Sequence, residues 1–160
     1  MFVAAYDELF NKLDKSLLSR IVAISASGQQ HGSVYWKTGA GEILENLNSS
    51  RSLQEQLKSA FSKQNSPIWM DSSTTEICKA LQSAVGGPDS LTNETGSTAY
   101  ERFTVHQIIK FGEENTDDWK STERISLISS FAISLLIGKF ASIDYSDGSG
   151  RELNLYFFLL

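Results

Sequence analysis

The chain reads as a mixed α/β domain, and three observations predict it. Phe2, Tyr6, Leu9, Phe10, Leu13 and Leu17 recur at helical spacing. Residues 20–25, RIVAIS, are apolar and β-branched, the pattern of a buried strand. Residues 32–39, GSVYWKTG, read as a second strand closed by glycine. A helix, two strands, a helix, a strand and then further helices is the order of a mixed α/β fold.

Each element has a local reason. In the opening helix Asp7, Glu8, Lys12, Asp14 and Lys15 fill the face opposite the apolar one. A helix over 52–61 can take Ser52 as its N-cap. Pro67 introduces a short apolar strand over 68–70, and Asp71 ends it. The serines and threonines that follow suit the start of a helix through Ile77, Leu81 and Val85, and Gly86-Gly87 supplies its stop. Two more helices are expected, over 105–111 and over 122–137. Residues 142–150, SIDYSDGSG, read as a polar, glycine-rich loop.

Composition narrows the classes of function. A chain of 160 residues suits one domain with a sizeable core. With 41% hydrophobic and 21% charged residues it reads as soluble and globular. The net charge of −5 and 14 scattered basic residues argue against a nucleic-acid partner. The single cysteine, Cys78, cannot staple the fold, suits a reducing compartment and has no metal-ligand neighbours in sequence, so it reads as a packed residue. The N-terminus lacks a basic signal region, and the apolar stretch 125–137 is too short and serine-interrupted to span a bilayer. The sequons at Asn48 and Asn93 carry little weight without a secretion signal. The closing run LNLYFFLL invites self-association unless it docks on the core.

Four groups of residues are chemically suggestive. Gln29, Gln30 and His31 are expected at the carboxyl end of a buried strand, where α/β sheets bind ligands. Their amides and imidazole suit sugar hydroxyls, and Gly28 and Gly32 would let the backbone approach a ligand. Spacing alone leaves a backbone-satisfying turn equally open. Asp71 would face the same crevice or cap the following helix, and the two roles are compatible. Glu101 and Arg102 lie between aromatics, either as a surface pair or with the guanidinium turned to a ligand. Asp144, Asp147, Gly148 and Gly150 resemble an ion-holding loop but lack the calcium-loop pattern, and His106 in an apolar helical stretch reads as structural.

Five blocks then occur in order: SASGQQHGSVYW, SPIWMDSSTTEIC, TGSTAYERFTVHQI, TERISLISSF and IDYSDGSG. Together they resemble the eukaryotic xylulose kinases of the FGGY carbohydrate kinase family. The resemblance implies a fold, part of the ribonuclease H-like, actin-like first lobe of a two-lobed kinase. It also implies a cytoplasmic reaction, in which ATP with Mg2+ phosphorylates the 5-hydroxyl of D-xylulose for the pentose phosphate pathway. On this resemblance His31 and Arg102 match sugar-contacting residues, and Gln30 and Asp71 lie near the same pocket. Thr98 stands where the family has an arginine, and VHQI replaces GNQI. The family's opening phosphate turn and its catalytic GDN-type aspartate have no counterpart here. The expectation is one incomplete sugar-binding domain over 1–160, lacking the opening strands and the ATP-binding lobe and not catalytically competent by itself. A non-catalytic sugar- or partner-binding remnant, or an FGGY kinase for another small sugar or polyol, is the alternative.

Overall fold

The computed structural model describes residues 2–149. The apolar run 153–160 and Gly150 lie outside the described residues. The expected α/β class is met. A short antiparallel pair, β1 (Ser33–Lys37) and β2 (Thr122–Leu127), carries helices on its faces. Ser33 lies opposite Leu127 and Tyr35 opposite Ile125, with an irregularity between Trp36 and Lys37. On the other edge of β1, Trp36 bridges to Phe61, with Lys37 N–H donating to Ala60 O at 2.9 Å and Ser62 N–H to Tyr35 O at 3.0 Å.

Because strand side chains alternate, Trp36 and Tyr35 serve two different cores. Trp36 is fully buried with Leu44 of α3 (Ala40–Glu45) and with Phe131 and Leu135 of α9 (Ile128–Ile137). Its ring lies 5.2, 5.3 and 5.5 Å from Phe61, Phe131 and Phe140, and its indole N–H donates to Ser126 Oγ at 2.9 Å. Tyr35 packs at 4.5 Å on Phe111 of α7 (Thr104–Glu114) beside Ile108, and Trp119 of α8 (Thr116–Lys120) lies 6.1 Å from Phe111. A third cluster joins Leu81 of α5 (Thr75–Ala84) to Leu91 of α6 (Pro88–Thr95). The expected N-terminal helix breaks into α1 (Phe2–Lys12) and α2 (Lys15–Leu18), because Asp14 accepts from Ser16 N–H at 2.7 Å and starts a new turn. Asp7 of α1 accepts from Leu53 and Gln54 N–H at 2.6 and 2.9 Å, so it caps α4 (Leu53–Gln56) alongside Ser52.

Several elements differ from expectation for identifiable reasons. Residues 20–25 form no strand, and Ile21, Val22 and Ile24 are exposed. A strand needs a partner, and both edges of β1 are taken by β2 and the Phe61 segment. Residues 68–71 form a turn closed by Asp71 N–H on Ile68 O at 3.0 Å, leaving Ile68, Trp69 and Met70 exposed. The helix expected over 122–137 divides: its first six residues pair with β1, and only Ile128–Ile137 is helical. Cross-strand pairing there overrides local apolar spacing. The helix expected over 52–61 shrinks to four residues. The loop expected over 142–150 contains a short helix, α10 (Tyr145–Ser149), started by Asp144. The Gly86-Gly87 stop is as expected: both glycines have positive φ, and Gly87 N–H reaches Gln82 O at 2.7 Å. The helix α6 beyond it, opened by Pro88, was not foreseen.

Candidate functional site

Three segments converge: the turn at residues 28–33, the turn at 66–74, and residues 99–107. His31 adopts φ 65°, the one non-glycine in the left-handed region among the described residues, a backbone state that concentrates at ligand sites. Its ring lies 5.5 Å from Phe103, and its carbonyl accepts from Thr104 Oγ1 at 3.4 Å. Ser33 N–H donates to Ser66 Oγ at 3.1 Å, tying the first segment to the second. Thr74 Oγ1 donates to Glu101 O at 2.7 Å, tying the second to the third.

Arg102 closes the group. Its guanidinium lies 5.3 Å from the Trp69 ring and 5.4 Å from the Tyr100 ring. Such stacking fixes the plane of the guanidinium while its N–H fork can still reach a ligand. Tyr100 in turn packs on Phe103 at 5.7 Å, so the Arg102 and His31 side chains share one aromatic support. The Glu101 carboxylate accepts from Thr75 Oγ1 at 3.3 Å. Gln30 is exposed beside His31 in the same turn.

Asp71 does not cap helix α5, whose N-cap is Thr74. It forms a local turn instead, accepting from Ser73 N–H at 2.9 Å and from the Ser73 hydroxyl. The Ser73 hydroxyl, with help from Gln107 and Lys110, holds the Asp71 carboxyl below the usual carboxylate range. It is therefore an ionised acceptor at neutral pH. Lys110 Nζ donates to Ser73 Oγ at 2.6 Å. Nearby, the Lys63 ammonium sits 4.6 Å from the Phe111 ring, and burial followed by repulsion from Lys110 pushes its pKa down.

The glycines of the first turn have a packing role. A Cβ on Gly28 would lie 2.6 Å from Ser129 N, and one on Gly32 would lie 2.7 Å from Ile128 Cγ1. The turn is seated against the start of α9. It also precedes β1 rather than following a strand.

The remaining candidates have structural surroundings. His106 is fully buried, and that burial lowers its pKa to about 4. Cys78 is buried in α5 beside Thr74, as expected of a packed residue. Asp144 caps α10, and Asp147 accepts from Ser129 Oγ at 2.5 Å, which gives both carboxylates structural partners. Among the described residues no group of three or more His, Cys, Asp or Glu converges to hold a metal ion. Sequence reasoning missed Trp69: its signal is a contact between segments more than 30 residues apart, which no periodicity reports.

No family model matches the chain. It is 53% identical to xylulose kinase 2 of Arabidopsis thaliana, over 96% of its own length and 28% of that relative. It is 51% identical to xylulose kinase of Rattus norvegicus, over 96% of its length and 29% of that relative. The crystal structure of xylulose kinase from Bifidobacterium adolescentis superposes with a TM-score of 0.67 at 16% identity, covering 93% of this chain and 31% of the other. The chain thus spans less than a third of the length of the curated relatives it matches. At about half identity over 96% of its residues, the chain is the homologue of one stretch of proteins named xylulose kinase.

Proposed function

We propose that this chain carries the sugar-binding part of an FGGY-type xylulose kinase and that His31, Arg102, Gln30 and Asp71 contact D-xylulose. The observation that carries this reading is the convergence of the His31 turn, the Asp71 turn and the Arg102 segment on one aromatic support. A ketopentose presents hydroxyls and a carbonyl in close succession. The imidazole and guanidinium donate to oxygens, the Asp71 carboxylate accepts from hydroxyls, and the Gln30 amide does both.

In the whole kinase the sugar's 5-hydroxyl receives a phosphoryl group from ATP with Mg2+ in the cytoplasm, as a step of pentose phosphate metabolism. The 160-residue chain, which spans less than a third of the curated relatives, is read as part of one domain that binds sugar without turning it over. Neither nucleic acid nor membrane is a partner on this reading. Among the described residues no helix is long and apolar enough to cross a membrane. The exposed apolar side chains at residues 21–24 and 68–70 make self-association at high concentration the expected behaviour.

Two measurements test this. A coupled ADP-release assay on the chain with D-xylulose, ATP and Mg2+ is expected to stay at the blank rate, and turnover would overturn the non-catalytic reading. Calorimetry with D-xylulose, D-ribulose and glycerol is expected to rank D-xylulose tightest. Equal affinity for all three would move the assignment to another sugar kinase.

A further inference from the structure

A line of hydrogen bonds runs from helix α7 to the Asp71 carboxylate. Lys110 Nζ donates to Ser73 Oγ at 2.6 Å. The Ser73 hydroxyl in turn donates to Asp71 Oδ1, and the Ser73 backbone N–H donates to the same oxygen at 2.9 Å. Chemistry fixes the direction of this line. An ammonium has donors and no acceptor, so beside Lys110 the single Ser73 hydroxyl proton is left to point at Asp71. A hydroxyl that accepts from a cation is polarised into a stronger donor, and a carboxylate is the acceptor that gains most from it. The Ser73 hydroxyl is accordingly the first influence holding the Asp71 carboxyl below the usual range. Lys110 is itself anchored: its side chain is 26% exposed, and its ammonium lies 4.0 Å from Glu114 one turn on. The same helix meets the other polar turn at Thr104, whose hydroxyl donates to the His31 carbonyl at 3.4 Å. Lys110 is therefore where α7 fastens the Asp71 turn, about 9 Å along the helix axis from where it fastens the His31 turn.

We propose that Lys110 and Ser73 are positioning residues of the sugar site: they form a relay that pins Asp71 Oδ1 and so presents Oδ2 to a hydroxyl of the ligand. The relay stands on the hydrogen bonds themselves, and its part in sugar binding rests on the sugar-site reading above. With both Ser73 bonds on one oxygen, the carboxylate cannot rotate without breaking them. A sugar hydroxyl then meets Oδ2 in a fixed orientation, which lowers the ordering cost of binding.

The test is a carbon-detected NMR titration of Asp71 in the ligand-free 160-residue chain. Lys110 and Lys63 are the cations near Asp71, and Glu114 and Asp118 face Lys63, so Lys63, Glu114 and Asp118 are left in place. Ser73→Ala removes the hydroxyl donor and is expected to raise the Asp71 midpoint, whereas Ser73→Thr keeps a hydroxyl and is expected to hold it at the wild-type value. Lys110→Met is expected to raise the midpoint more in the wild-type background than in Ser73→Ala, because part of its effect passes through the hydroxyl. Equal rises in the two backgrounds would mean that Lys110 acts by charge through space alone, and would overturn the relay. A Ser73→Ala midpoint equal to wild type would overturn it as well. If Lys110→Met does not fold, Lys110→Ala is read in its place by the same comparison. Calorimetry with D-xylulose is expected to show about a three- to tenfold loss of affinity in each single variant, with little further loss in the double variant. Losses that multiply in full in the double variant would contradict a shared relay. Wild-type chain that binds no D-xylulose would sink the sugar-site reading while leaving the Asp71 titration to decide the relay.

Discussion

Trp36 and Trp69 are the same side chain put to opposite uses. Trp36 is fully buried, ringed by Phe61, Phe131 and Phe140, with its indole N–H satisfied by Ser126. Trp69 is 43% exposed on a turn between exposed Ile68 and Met70, and it stacks on the Arg102 guanidinium. The first region earns its order from burial. The second leaves apolar surface in water, and its most specific contact orients a charged group. The difference locates stability around the β1–β2 pair and α9, and the proposed sugar contacts along the turns at the edge of that core.

Truncating each tryptophan is the sharpest way to test that division. Trp36→Ala is expected to cost about 3–5 kcal/mol, a large share of the stability of a domain this size, and to abolish a cooperative thermal transition. A folded Trp36→Ala with a nearly unchanged melting temperature would break the comparison at its stable end.

The next effect is pH-linked and belongs to the core side. His106 is buried beside Phe103, with its pKa lowered from 6.5 to about 4. In the unfolded chain it takes up a proton below about pH 6.5, whereas the folded chain resists doing so until near pH 4. Its neutral burial therefore stabilises fully above pH 6.5, and that contribution is lost as pH falls towards 4, about 3 kcal/mol in all. Urea midpoints at pH 7 and pH 4.5 should differ accordingly, and His106→Asn should flatten the difference. An equal slope in the variant would show that other groups carry it.

Gly28 lies at the boundary between the two regions. Gly28→Ala places a methyl 2.6 Å from the Ser129 backbone nitrogen, so the turn must lift off α9. The expected cost is about 1–3 kcal/mol, read as a lower melting temperature together with weaker D-xylulose binding. An unchanged transition would mean that the turn is not seated on the helix. Trp69→Ala is the smallest, with an expected stability change below about 1 kcal/mol because the ring is largely exposed already. It should still weaken sugar binding by unseating Arg102. Loss of folding in that variant would erase the distinction from Trp36.

The two regions also differed in how far they could be read from sequence. The helix over residues 2–12, the alternation in β1, the Gly86-Gly87 stop and the helix around Val105 all follow from local patterns, and the structure has them in place. The strand at 122–127 was hidden because its apolar residues also fit a helix, and only the pairing partner at 33–37 decides between them. Residues 20–25 look like a strand for the same local reasons, yet no described strand pairs with them. At the site, residue types drew attention to His31, Arg102, Gln30 and Asp71 before any coordinates. The support beneath them did not declare itself. Trp69 under Arg102 and Phe103 beside His31 are contacts across sequence distance, and pattern has no access to those.

The central claim is that the converged turns hold a ketopentose. Calorimetric titration of D-xylulose into the 160-residue chain, alongside His31→Ala and Arg102→Ala, tests it directly. Saturable binding by the wild-type chain, weakened at least tenfold in each variant with the thermal transition retained, is the predicted result. Binding that is absent from the folded wild-type chain, or equal in all three proteins, would contradict it.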